Sequence, residues 1–458
     1  MKFSDVEESI LQKIRPKQDE RDRVESVALE LLSEVDKSGV ATGMVVGSIA
    51  RDTWVSGDRD LDVFMLFDPS VTREDLEKKG LSLAKEITDK FGAVPVEKYA
   101  EHPYINTNIK GFDIDLVPCY NIKSASRILS AVDRTPFHTR YIKEKVTGLT
   151  DDILLAKRFA KSCGVYGSDH MTEGFAGYLC ELLVYHYGGF KELINAAASE
   201  WKPGLIIDIE GHRTKDFDEP LVVVDPVDPG RNVAASLSES KMAEFCEYTR
   251  GYLEKPSETF FELRKNNSLT KEEFKEILAE RGTFLYSIVF KTPNAIPDIV
   301  VPQLRKSVSG IEEMLERNGF SVNRYAEYMG EENCVLLFEL LNENLPGIIK
   351  REGPPLWNRV NAEKFFHKHL GNTYAGPYIE NARYYVEIER KYKNAEKILN
   401  SPEVLQSGLG KHVRRSINRG YDVFSGEDCY KQEFSEFLNR FLRKYSPFTE
   451  ICYEITRN

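Results

Sequence analysis

Acidic and apolar residues alternate along Asp60-Leu61-Asp62-Val63-Phe64-Met65, the two-residue period of a strand with one face in a core. Gly111-Phe112-Asp113-Ile114-Asp115-Leu116-Val117-Pro118 repeats the pattern and predicts a second such strand. Around them, residues 5 to about 37 read as helix interrupted at Pro16 and stopped at Gly39, Met44 to Val46 as a short strand, and Ser48 as a helix opening. A helix around Arg73 to Phe91 completes a strand-and-helix alternation over 43–122, which predicts a small mixed sheet with helices.

Helical spacing dominates residues 150–190. Leu155 and Phe159 share one face with Lys157 and Lys161 opposite, and Phe175, Tyr178, Leu179, Leu182 and Leu183 recur before Gly188-Gly189. Two β-like runs, Leu205 to Ile209 and Leu221 to Val224, lead into the loop Asp225 to Asn232. Beyond about 255 the composition turns more charged. Thr283 to Phe290, Ser321 to Tyr328, Cys334 to Leu340 and Tyr384 to Ile388 read as strands, and Leu304, Val308, Ile311 and Leu315 form one helix face. The β-α-β-β order predicts a ferredoxin-like body with a mostly helical tail. The expected chain is α+β and multidomain: a catalytic head over 1–145, a mostly helical central domain over 146–255, and a C-terminal body and tail over 256–458.

The 458 residues suffice for two to four domains at roughly 100–200 residues each. A hydrophobic fraction of 41% with 29% charged residues is that of a globular protein. No apolar run approaches the roughly 20 residues that span a bilayer, and Met1 to Glu8 lack the apolar core of a signal peptide, so no membrane partner and a cytoplasmic location are expected. Cysteines at 119, 163, 180, 246, 334, 429 and 452, odd in number, form no Cys-x-x-Cys and indicate neither a zinc ribbon nor a disulfide framework; His367 and His369 read as surface residues. The net charge of −11 counts against a nucleic-acid partner as a sum, but basic groupings stand at Lys411-His412-Val413-Arg414-Arg415 with Arg419, and from Arg383 through Arg390, Lys391 and Lys393. A solvated helix face explains each equally well.

The chemistry concentrates at Gly47-Ser48, about ten residues before Asp60-x-Asp62. Gly47 permits a tight bend around a ligand, and Ser48 with the amides beside it offers phosphate donors. Asp60 and Asp62 share a strand face, a hard oxygen site for Mg²⁺. Asp115 supplies a third carboxylate, and such a set brackets two Mg²⁺ ions about 3.5 to 4 Å apart for in-line phosphoryl displacement. An Asp-x-Asp or a Gly-Ser by itself is ordinary; their order and spacing point to nucleotide chemistry. Asp113 faces the same side and reads as a solvent-facing or supporting acid. Arg51, one turn beyond Ser48, can reach a phosphate oxygen, its plain alternative being a salt bridge with Asp52 or a nearby acid.

These residues resemble the polymerase-beta-like nucleotidyltransferases. Fuller strings narrow the resemblance: Gly47 to Trp54, Asp115 to Tyr120, Ala131-Val132-Asp133-Arg134-Thr135-Pro136-Phe137-His138, Gly174 to Leu183, and Asp225 to Ala235. In this order they look like the class I, archaeal-type CCA-adding enzymes, densely from about 40 to 240 and loosely beyond. The resemblance implies template-independent addition of C, C and A to the tRNA 3′ acceptor end from CTP and ATP, with Asp60, Asp62 and Asp115 as catalytic metal ligands for two Mg²⁺ ions. It further implies that Gly47, Ser48, Arg51, His138, Lys157 and Tyr166 contact the incoming nucleotide, that Arg231 helps to select its base, and that two chains pair as a homodimer. Alternatives kept beside it are a poly(A) polymerase-like adenylyltransferase, a non-catalytic RNA-binding protein on the same scaffold and a small-molecule nucleotidyltransferase.

Overall fold

The computed structural model describes residues 3–99, 102–264 and 267–457, which divide into two compact units, 1–264 with 445–458, and 265–444. In the first unit, α1 (Asp5–Ile14) and α2 (Gln18–Lys37) are separated at Pro16. There follow β1 (Ala41–Val46), the single turn α3 (Gly47–Ala50), β2 (Asp60–Phe67), α4 (Arg73–Lys90), β3 (Val96–Tyr99), β4 (Pro103–Ile109) and β5 (Phe112–Tyr120). The strands form one mixed sheet in the order β1-β2-β5-β4-β3, with β2 and β5 parallel. Leu61, Val63 and Met65 of β2 are fully buried with Ile114 and Leu116 of β5 against Leu31 and Val35 of α2 and Leu83 and Ile87 of α4. The alternation that sinks these side chains leaves the aspartates on the opposite face.

The β3–β4 hairpin carries no comparable alternation in sequence, and its four-residue first strand is wholly exposed. It pairs only because β5 offers β4 an open edge.

Helices α5 (Thr135–Lys145), α6 (Thr150–Cys163), α7 (Gly177–Tyr187), α8 (Phe190–Ser199) and α9 (Glu239–Glu254), with the short parallel pair β6 (Leu205–Ile207) and β7 (Leu221–Val223), build the central part. Its core is aromatic: Phe159, Phe175, Phe190, Phe245, Tyr248, Tyr252, Phe260 and Phe261 pack together, and Ile10, Leu11 and Ile14 of α1 join this core rather than that of the sheet. Helix α6 is therefore buried over most of its surface, with Asp151, Arg158 and Lys161 half-exposed. Lys157, expected on a polar face opposite Leu155 and Phe159, is 2% exposed.

In the second unit, α10 (Lys271–Arg281) precedes β8 (Phe284–Lys291), α11 (Pro297–Arg317), β9 (Val322–Met329) and β10 (Asn333–Leu340). A three-stranded sheet follows, made of β11 (Ile348–Pro355), β12 (Ala375–Glu380) and β13 (Arg383–Glu389) with α12 (Arg359–His369) against it, of which only the last strand was legible in the sequence. Then come α13 (Ala395–Leu399), α14 (Glu403–Gln406), α15 (Lys411–Arg419), β14 (Asp422–Ser425) and α16 (Ser435–Leu442). The order β14-β8-β10-β9, antiparallel throughout, with α11 and α15 as crossovers, is ferredoxin-like. His369, read as a surface residue, is 8% exposed beside the ring of Phe365, because α12 turns that face onto its own sheet. The final helix α17 (Pro447–Arg457) returns to the first unit and lays Phe448 over Gly251 of α9.

No described helix is long and apolar enough to cross a membrane.

Candidate active site

Strand register draws the acids together. Val46 lies opposite Asp62 between β1 and β2, Asp62 beside Asp115 between β2 and β5, and Asp115 opposite Asn106 between β5 and β4, so four strands contribute to one row across the sheet. Asp60 and Asp113 pair in the same way two residues earlier. Asn106 Nδ2 donates to Asp115 Oδ1 at 2.8 Å and to Asp113 Oδ1 at 2.6 Å, fixing the β5 pair from the hairpin side. Gly47 holds φ +74°, and a Cβ there would stand 2.1 Å from Asp62 Oδ2, so only glycine lets the backbone pass this carboxylate.

Burial first, and crowding of like charge after it, raise all three carboxyls. Burial, then the charge of Asp115, pushes the Asp62 carboxyl up to about 6, with Arg51 pulling the other way. Asp60 is raised by burial and by Asp58 and Asp113. Asp115 is raised by burial, partly offset by Asn106 and Lys98. Among the described residues no three His, Cys, Asp or Glu side chains are already drawn into a ligand cluster. The donor set nevertheless fits a divalent cation: hard carboxylate oxygens on one face, mutually repelling, which a metal ion would neutralise.

The cations assigned to the triphosphate meet at a residue that sequence reasoning passed over. Glu181 of α7 is fully buried; its Oε1 accepts from Lys157 Nζ at 2.8 Å, and its Oε2 lies 2.8 Å from Arg51 Nε. Lys157 Nζ also donates to the Thr53 carbonyl at 2.8 Å and to Thr53 Oγ1 at 3.1 Å, and the Thr53 hydroxyl donates to Glu181. Asp52, the first alternative partner for Arg51, pairs instead with Arg21. Tyr166 is packed close by: a Cβ on Gly177 would lie 2.9 Å from its hydroxyl and 3.7 Å from Lys157 Nζ. Ser48 is the second residue of the α3 turn, which opens one residue earlier than the sequence pattern placed it, and its carbonyl accepts from the Thr53 amide at 3.0 Å, tying this turn to the same cluster. The signal for Glu181 was its isolation, the one acid in Gly-Tyr-Leu-Cys-Glu-Leu-Leu-Val.

Asp225 does the same for His138 and Arg231. Its Oδ2 lies 2.9 Å from His138 Nε2 and accepts from Arg231 Nη1 at 2.8 Å, and its Oδ1 accepts from the Val227 amide at 3.0 Å. Burial would raise this carboxyl, but the bonds from His138 and Val227 and the Arg231 charge bring it down to about 2. Burial lowers His138 despite that neighbour, so the ring is neutral near pH 7, stacked on Tyr178 with centroids 4.2 Å apart. Arg231 and Tyr178 line a cavity of about 510 Å³ together with Arg134, Lys215 and Phe217. The loop Asp225 to Asn232 is pinned at its base, where Val224 bridges Asn232 and Asp228 pairs with Arg134.

A mixed sheet with converging aspartates beside a Gly-Ser turn, backed by a helical domain that supplies cations, defines a nucleotidyltransferase. Sequence profiles agree: the nucleotidyltransferase domain matches residues 27–138, the tRNA nucleotidyltransferase second domain 151–262, and the C-terminal domain of CCA-adding enzymes 281–426. A CCA-adding enzyme of Methanoregula boonei is 55% identical over 97% of both chains, and one of Methanosarcina mazei 42% identical over 96% of this chain and 98% of its own. Among solved structures, a cytoplasmic RNA terminal U-transferase aligns over 57% of this chain and 98% of its own at 15% identity, with a TM-score of 0.44. The chain belongs to the CCA-adding enzymes. Nucleotidyltransferases of this superfamily use divalent metal ions, and CCA-adding enzymes act on tRNA with nucleoside triphosphates.

Proposed function

We propose that this protein adds C, C and A in turn to the 3′ end of tRNA, taking CTP and ATP and releasing pyrophosphate. The observation that carries the chemistry is the register of Asp62 beside Asp115, with Asp60 on the same face and Gly47 folded against Asp62. Asp60, Asp62 and Asp115 would hold two Mg²⁺ ions. When bound, such ions lower the pKa of the attacking 3′-hydroxyl and offset charge on the departing phosphates. Ser48 and the amides of its turn, Arg51 and Lys157 bind the triphosphate. His138 stacked on Tyr178 and Arg231 in the 510 Å³ cavity orient sugar and base, with the Arg231 guanidinium presenting paired donors to a base edge. Tyr166, whose hydroxyl lies against Gly177 beside Lys157, contacts the incoming nucleotide. The three domains divide the work as head, nucleotide-binding centre and tRNA-holding body and tail, in a cytoplasmic homodimer.

Purified protein incubated with a tRNA lacking its CCA and each labelled triphosphate tests the reading. Three additions in the order C, C, A, abolished by a chelator and restored by Mg²⁺, are expected; a ladder of A additions would overturn it.

A further inference from the structure

We infer that Glu181 is a positioning residue of the triphosphate site, gathering Arg51 from the catalytic sheet and Lys157 from the central helices around one buried carboxylate. The inference rests on the proposed role of Arg51 and Lys157 as triphosphate ligands.

Three observations carry it. A carboxylate with no exposed surface is costly to keep ionised unless cations and donors surround it, and Glu181 has two cations and the Thr53 hydroxyl within reach. Burial alone would raise its pKa; Lys157 and then Arg51 reverse the direction and hold it ionised. An ammonium has three donors, and all three of Lys157 are taken, by Glu181 Oε1, the Thr53 carbonyl and Thr53 Oγ1. Its position is therefore dictated by Glu181 and by the residue two beyond Arg51.

The hold on Arg51 is different in kind. Its Nε stands 2.8 Å from Glu181 Oε2, yet neither atom completes a well-directed hydrogen bond. At that separation Glu181 is the counter-charge of the guanidinium, whose side chain is 8% exposed. Glu181 sits on α7, Lys157 on α6, and Arg51 and Thr53 follow the α3 turn that carries Ser48. One carboxylate thereby registers the phosphate turn of the sheet against the helical domain. A phosphate oxygen arriving at Lys157 replaces a Thr53 contact, not the Glu181 contact.

The test is steady-state addition of CTP to tRNA lacking CCA by the full chain, with tRNA affinity and melting temperature measured alongside. Arg51→Ala and Glu181→Gln should each raise the CTP KM on the order of tenfold, as loss of a hydrogen bond to a charged group does, with tRNA affinity unchanged. Because Glu181 acts through Arg51 and Lys157, Arg51→Ala with Glu181→Gln should raise KM by less than the product of the two single effects. A CTP KM for Glu181→Gln within twofold of wild type, beside a raised value for Arg51→Ala, overturns the inference. Unchanged KM in Arg51→Ala instead removes the triphosphate reading beneath it. Should Glu181→Gln not fold, Glu181→Asp carries the test, since it keeps the charge but withdraws the carboxylate by one methylene. A raised KM with normal tRNA affinity then supports the inference, and a wild-type KM overturns it.

Discussion

Asp62 is held where its own ionisation opposes folding. Its carboxyl titrates at about 6 in the folded chain against an ordinary 3.8, so the ionised form is penalised on folding. The penalty is absent below the ordinary value, grows as pH rises between the two, and is complete above about 6. Asp62→Asn should therefore raise the melting temperature of the metal-free protein at pH 7 to 8, with the gain vanishing as pH falls toward 4. Mg²⁺ should raise the melting temperature of wild type and not of the variant. A variant that melts with wild type at pH 8 would show that this carboxylate carries no ionisation penalty, and one that gains equally from Mg²⁺ that it is not a metal ligand. The three aspartates were legible because alternation in a strand fixes the face of each residue from sequence. Glu181 and Asp225 were not, because their partners come from the segment after α3, from α6, from α5 and from the loop after Asp225, and no local period reports a contact made across the fold.

Among elements, α15 stands apart. Val413, Ser416 and Ile417 bury its inner face, while Lys411, Arg415 and Arg419 follow one another at intervals of four on the outer face, exposed and without an ion pair among the described residues. Like charges so spaced repel one another in an isolated helix, a repulsion that a bound phosphate backbone would relieve. The other basic grouping is consumed internally: Arg383 pairs with Glu352, Lys391 with Glu403 and Lys393 with Glu389. Sequence could not separate the two, since pairing depends on which acid the fold brings near. Replacing Lys411, Arg415 and Arg419 by alanine, a better helix former, should preserve the fold and weaken tRNA binding. The slope of log affinity against log salt should fall by roughly 2 to 3, as expected for lost phosphate contacts. An unchanged slope would make α15 a solvated face.

At the scale of the molecule, the chain leaves its first unit after Arg264 and re-enters it at Tyr445. Arg264 closes that junction by donating to the Pro447 carbonyl and pairing with Glu450, and Ile451 is buried in the first unit's aromatic core. The intervening residues 265–444 cover both faces of their own sheet. Tyr286, Ile288 and Phe290 of β8 and Leu336 and Phe338 of β10 pack with α11 and α15, while Leu285, Val289, Val335 and Leu337 pack with Phe274 of α10 and with Phe437 and Phe441 of α16. A sheet buried on both sides within one stretch of chain has what independent folding requires. Residues 265–444 expressed by themselves should therefore melt cooperatively and show dispersed amide resonances. The complementary protein, 1–264 joined to 445–458 by a short Gly-Ser linker, keeps the aspartates, Glu181 and Asp225, and should bind CTP as the full chain does while losing most of its affinity for tRNA. If it retains full tRNA affinity, the second unit does not hold the substrate; if 265–444 stays unfolded, its two half-cores depend on the rest of the chain.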